Sequence, residues 1–98
     1  MTTVSKEIST TVTVGNRMGL HARPAARIAM MLADYPGAEI FLSREDDPKN
    51  SADCRSVLSL IILAATKGTR LNLTGSGEGA AEAIRKIEDF FAVHFDEE

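Results

Sequence analysis

Gly19-Leu20-His21-Ala22-Arg23-Pro24-Ala25-Ala26 is the stretch at which one periodicity gives way to another. Ahead of it, residues 7 to 14 (Glu-Ile-Ser-Thr-Thr-Val-Thr-Val) alternate and are rich in β-branched types, the pattern of a half-buried strand. Ile8, Thr10, Val12 and Val14 fall on the inward face, Thr11 and Thr13 on the other, so the sheet needs a covering layer. Behind it, Ala25, Ile28, Ala29 and Leu32 recur at helical spacing. Met30 and Met31 cannot both face the core. This helix is expected to reach Tyr35-Pro36-Gly37, a pair of breakers. Pro24 suits a first helical turn, because its N–H is not needed there and its φ is already helical. Gly19 lets the loop Gly15–Gly19 turn sharply before it.

His21 is thereby set at a helix entrance, where N–H groups lack partners and partial positive charge collects. Such a place stabilises an anion and disfavours an imidazolium, so the ring is expected to be biased toward its neutral, nucleophilic form. Arg23 offers a guanidinium suited to phosphate oxygens. Taken alone, a histidine before a helix serves equally well as a cap or a surface residue, and an arginine as a solvated charge.

The octapeptide resembles the active-site signature of the HPr family, the histidine-containing phosphocarriers of the phosphoenolpyruvate-dependent phosphotransferase system. Cys54-Arg55-Ser56-Val57-Leu58 resembles the family's regulatory-serine region. Lys67-Gly68-Thr69 with Leu71-Asn72-Leu73-Thr74-Gly75-Ser76-Gly77 resembles its last strand and turn. The resemblance spans Val12 to Phe91. It implies that His21 takes a phosphoryl group from enzyme I on Nδ1 and passes it to a IIA domain. The N–H groups of Ala22 and Arg23, with the Arg23 guanidinium, would hold the phosphoryl oxygens. It further implies partner docking by Leu20, Val57, Leu58 and Ile61. The resemblance also implies an HPr kinase/phosphorylase acting on Ser56, and a transcriptional regulator, as further partners. Ser56 is also a good N-cap, and both roles can coexist. No metal or cofactor is implied, and the protein would act stoichiometrically, as a monomer.

The remaining pattern reads in order. Ala38 to Ser43 forms a second strand. Arg44-Glu45-Asp46-Asp47-Pro48-Lys49-Asn50 is expected to be an acidic loop, longer than the family's usual turn. Ser51 to Cys54 forms a short third strand, with Ala52 and Cys54 inward. Val57 to Leu63 is a short helix, apolar nearly all round, with Leu60, Leu63 and Ala64 expected inward. A domain this small cannot bury both its faces, so the outer one is a docking candidate. Thr69 to Thr74 is a fourth strand, and Gly75-Ser76-Gly77 is expected to be a flexible turn. The last helix is expected from Glu78 to about His94, with an Ala80, Ile84, Ile87, Phe91 stripe and an outward Glu82–Lys86 pair. His94 reads as structural, and Asp96-Glu97-Glu98 as a frayed acidic end.

The order is β-α-β-β-α-β-α in an α+β domain. The resemblance makes this an HPr-like open-faced β-sandwich, a four-stranded antiparallel sheet with three helices on one face. A chain of 98 residues suits one domain, with its core over about residues 7 to 94. The formal net charge of -3 gives no basic surface for nucleic acid. No apolar run approaches the ~20 residues of a membrane span, and Met1–Glu7 has no secretory hydrophobic stretch. Cys54, the single cysteine, cannot form an intrachain disulfide. These features fit a cytoplasmic protein. Two other readings compete. One is an HPr-like regulatory module in nitrogen-related or catabolite control. The other, weaker, is a histidine acid/base enzyme, for which a second catalytic group is missing.

Overall fold

The computed structural model describes residues 7–97; Met1–Lys6, read above for a secretory signal, and Glu98 lie outside the described residues. The elements run β1 (Ile8–Thr13), α1 (Ala22–Met31), β2 (Ala38–Arg44), β3 (Asp47–Asp53), α2 (Val57–Ile62), β4 (Arg70–Gly77) and α3 (Ala80–Ala92). All strand pairs are antiparallel, in the spatial order β1-β4-β2-β3. The register sets Val12 beside Leu71, and Leu73 between Thr10 and Leu42. One face of the sheet therefore collects Val12, Ile40, Leu42, Leu71 and Leu73, all buried with the inner faces of the helices. The opposite face carries Thr11, Thr13 and Glu39, which are exposed. This is the open-faced arrangement that a one-sided strand pattern requires. Among the described residues no helix is long and apolar enough to cross a membrane.

The helix stripes sit as their spacing demands. Ala25, Ile28 and Leu32 are buried, as are Ala80, Ile84, Ile87 and Phe91. Met30 is exposed, whereas Met31 packs against the core. A short 3-10 turn, Leu32–Asp34, carries the first helix to Tyr35. Arg55 closes that end: Nη1 donates to the Ala38 carbonyl at 2.6 Å and Nη2 to that of Tyr35 at 2.6 Å. The planar guanidinium puts a separate nitrogen on each carbonyl, where a lysine would bring a single ammonium, which gives the arginine here a structural reason.

Several expectations are corrected. The loop expected over 44–50 is mostly strand: β2 and β3 meet across Glu45 and Asp46. Arg44 pairs with Asp47 and Ser43 with Ser51, so Pro48, Lys49 and Asn50 stand in a bulge. Proline is tolerated there because β3 is an edge strand. Gly75-Ser76-Gly77 is not a turn but the end of β4, with Gly75 opposite Ile40 and Gly77 opposite Ala38. A Cβ on Gly75 would stand 2.6 Å from Ile40 Cδ1 and 2.8 Å from Ile84 Cδ1. The glycine marks a close approach of helix and sheet. Ala64 is exposed, at φ 53 just past α2, instead of inward. Arg44 Nη1 donates to its carbonyl at 3.0 Å. Glu82 and Lys86 are both exposed, as expected, and both also meet Tyr35: Tyr35 Oη donates to Glu82, and the ammonium lies 5.3 Å from the ring centroid. Cys54 is fully buried, and burial pushes its thiol up to about 12, so it is a small core residue without thiolate chemistry.

Candidate functional site

The site is built at the β1–α1 connection. Gly19 has φ +72, and a Cβ there would lie 2.5 Å from the Ala65 carbonyl oxygen. Only glycine fits that turn. Leu20 follows, its N–H bonded to Ala65 O at 2.9 Å and its side chain 4% exposed. Leu20 is thus a core anchor for the loop, which corrects its expected docking role. Asn16 anchors the other side: it is fully buried, and its Nδ2 donates to Gly19 O at 2.8 Å.

His21 is the N-cap of α1, with φ -93 and ψ -171, and its side chain caps nothing. Its carbonyl accepts from Ala25 N at 3.1 Å. Pro24 has no N–H. The unpaired donors of the first turn are therefore Ala22 N–H and Arg23 N–H, which find no backbone acceptor among the described residues. Arg23 is exposed, and its guanidinium makes no hydrogen bond among the described residues. His21 and Arg23 share an open recess of about 600 Å³ with Arg17, Met18, Asp96 and Glu97. Arg17 and Met18, from the loop before Gly19, are both exposed.

Asp96 and Glu97, expected to fray, fold back instead. α3 stops at Ala92, and His94, Phe95 and Asp96 all take positive φ, 54, 57 and 60. Consecutive left-handed residues cost ~1–2 kcal/mol each and need a compensating anchor. Phe95 supplies it, 2% exposed, with its ring 4.8 Å from that of Phe91 and 5.0 Å from that of Phe90. Arg27 adds a stacking contact 4.5 Å above Phe90 and an ion pair to Asp96 at 3.2 Å. Glu97 then reaches the site. His21 Nε2 lies 2.9 Å from both Glu97 Oε1 and Oε2, and Asn16 Nδ2 donates to Oε1 at 2.9 Å.

The His21 and Asn16 hydrogen bonds, with the nearby Arg23 charge, hold the Glu97 carboxyl below the ordinary glutamate range. Carboxylate and imidazole face each other directly, and a carboxylate can only accept. Nε2 therefore carries the proton, and Nδ1, which has no hydrogen bond among the described residues, keeps the lone pair in the neutral ring. A pH dependence follows. Because the folded-state value is depressed, the Glu97 tether is fully present above the normal carboxylate range, roughly pH 4–5. It is lost as pH falls through the lower folded value. The charged groups facing Glu97 are His21 and Arg23, with Arg17 and Asp96 on the same recess. In an NMR acid titration the Glu97 carboxyl carbon and the Asn16 side-chain amide are expected to move together, below the pH at which solvated glutamates titrate.

Ser56 lies outside this recess, at the start of α2. Its Oγ accepts from Ser59 N at 3.2 Å, so it is the N-cap. Beyond it, Leu58 is 67% and Ile62 70% exposed, Ile61 is 38% exposed, and Val57 is half-buried. The outer face of α2 is thus open, as expected, and Ile62 belongs to it.

Residues 8–92 match the family model described as the PTS HPr component phosphorylation site. The chain belongs to the HPr family. It is 35% identical to the phosphocarrier protein HPr of Pseudomonas aeruginosa over 86 residues, 88% of this chain and 92% of that one. It is 31% identical to the phosphocarrier protein NPr of Klebsiella oxytoca, across 93% of this chain and 98% of the relative. Among solved structures, HPr-C-His from Thermoanaerobacter tengcongensis superposes with a TM-score of 0.81 at 25% identity, covering 93% of this HPr-family chain and 98% of that one.

Proposed function

We propose that this HPr-family protein is a phosphocarrier in which His21 Nδ1 accepts a phosphoryl group from phospho-enzyme I and hands it to a IIA domain in the cytoplasm. The observation that carries this reading is that Nδ1 of the N-cap His21 makes no hydrogen bond among the described residues, while the next two N–H groups, of Ala22 and Arg23, find no backbone acceptor there. Those N–H groups and the helix dipole favour the incoming phosphoryl oxygens, and the unpaired Arg23 guanidinium adds charge. The recess is open and not a deep pocket, which suits a group that must leave again. His21 is consumed and regenerated, so the protein is a stoichiometric carrier and not an enzyme in the usual sense. The exposed faces of Leu58, Ile61 and Ile62, with half-buried Val57, would seat both partners.

Incubation with phosphoenolpyruvate and enzyme I tests this reading. One acid-labile, base-stable phosphate per chain is the expected product, because a phosphorus–nitrogen bond to imidazole has that stability profile. No label, or an acid-stable one, would sink the carrier role.

Ser56 supports a separable regulatory reading. A phosphate on Ser56 would sit at the start of α2 and add about -1.5 to -2 charge beside the apolar docking face. Incubation with ATP and an HPr kinase/phosphorylase is expected to give acid-stable phosphate lost in Ser56→Ala. If Ser56 stays unlabelled, that role falls and the carrier role stands. A regulatory module acting mainly through protein contacts is the second reading, favoured by similarity to the NPr phosphocarrier across nearly the whole chain. Genes for sugar permeases beside this one would argue against it.

A further inference from the structure

We infer that Glu97 is a positioning residue for His21, holding Nε2–H so that the reacting nitrogen is Nδ1. The inference deepens the carrier reading of His21 and rests on it. Glu97 faces one edge of the imidazole with both carboxylate oxygens at 2.9 Å from Nε2. It does not float there. Asn16, fully buried, donates to Oε1, and the left-handed turn at His94–Asp96, pinned by buried Phe95, delivers the residue to the ring. A carboxylate bonded to one imidazole nitrogen fixes both tautomer and ring orientation, which decides where the lone pair points. Here the lone pair is left on the nitrogen that Glu97 does not touch.

The electron balance gives Glu97 a second part. The Nδ1 lone pair forms the new bond to phosphorus while the donor's N–P bond breaks and its electron pair returns to the donor. His21 then bears Nδ1–P and Nε2–H together, so its ring is formally cationic. The Glu97 carboxylate is already against the proton of that cation and neutralises it. On the onward step the acceptor's lone pair attacks phosphorus, and the N–P pair returns to Nδ1. Nε2 keeps its proton throughout, so no proton has to be found or lost during either transfer.

The test uses phosphoramidate, which phosphorylates imidazole without a protein partner and releases ammonia. The site of attachment is read by 15N–31P NMR of the labelled, intact chain. The native protein is expected to label at Nδ1 alone. Glu97→Ala is expected to give a mixture of Nδ1 and Nε2 products, with labelling at Nδ1 slowed by about tenfold, as loosened orientation of a reacting group generally costs. Glu97→Gln keeps an amide oxygen that accepts from Nε2–H, so it is expected to retain the Nδ1 preference. A residue that merely stabilised the fold would change the thermal midpoint but not which nitrogen reacts. Glu97→Ala labelling at Nδ1 alone and at the native rate would overturn the inference, as would native labelling on Nε2. Enzyme I is absent from this assay, so failure of the carrier reading would show in the enzyme I experiment and not here.

Discussion

His21→Ala is expected to take up no phosphoryl group from phospho-enzyme I, a loss to background and not a reduction. Nothing else in the recess can substitute. Its other polar side chains are the cations Arg17 and Arg23 and the carboxylates Asp96 and Glu97. The guanidinium groups stay protonated and have no lone pair to offer. A carboxylate attacking phosphorus would give an acyl phosphate, which is labile to base, so the expected base-stable label excludes it. The variant should fold normally. His21 is a half-exposed N-cap whose side chain caps nothing, so its removal leaves the α1 hydrogen bonds intact. Circular dichroism and thermal melting close to the native values, together with absent label, would assign the loss to chemistry. An Arg23→Ala variant separates the supporting role, because it removes charge next to the phosphoryl group and leaves Nδ1 in place. Base-stable, acid-labile phosphate in His21→Ala would place the acceptor elsewhere and remove the basis of the carrier reading.

Much of the fold was legible because each apolar face has one home. Alternation in β1 and β4, and the stripes of α1 and α3, needed only their periodicity to be assigned correctly. The errors fall where local composition competes with pairing. Asp47-Pro48-Lys49-Asn50 has loop chemistry, yet an edge strand can absorb a proline and a bulge while its neighbour β2 holds the ladder. Gly75-Ser76-Gly77 has turn chemistry, yet Gly75 is needed for what it lacks: Ile40 and Ile84 fill the volume a side chain would take. A glycine that serves packing and one that serves a turn look alike in sequence, because the difference lies in a residue on another element.

The site divides in the same way. His21, Ala22 and Arg23 were legible because their geometry is local: a glycine turn, an entrance residue and a proline in the first helical turn. Leu20, by contrast, faces inward because of Ala65, 45 positions away in a segment that carries no motif. Asn16 and Glu97 were not legible at all. Their contact spans 81 positions and depends on three consecutive positive φ values, a conformation that no residue in His94-Phe95-Asp96 favours by itself. Phe95 was the available signal. An aromatic residue past the last helix, near Phe90 and Phe91, has apolar area that must be covered, which argues against fraying.

That anchor is expected to show the largest stability effect. Phe95→Ala removes a side chain buried between Phe90 and Phe91, and truncation of a buried phenylalanine costs about 3–5 kcal/mol. A protein of this size has only ~5–15 kcal/mol to lose, so the denaturant midpoint should fall markedly. The left-handed turn pays no rent without its ring. At ~1–2 kcal/mol per residue, the backbone of His94–Asp96 has reason to relax once the aromatic contacts are gone. Glu97 should then leave His21 and Asn16, although neither contact residue has been altered. The two effects are separable by comparison with Glu97→Ala, which removes the carboxylate from a partly exposed position and is expected to cost little stability. Phe95→Ala should reproduce the Glu97→Ala loss of nitrogen selectivity under phosphoramidate while also melting earlier. Native selectivity with a lowered melting point would mean that Asn16 alone holds Glu97 in place. Native stability would mean that Phe95 contributes little to the core it sits in, against its 2% exposure and both ring contacts.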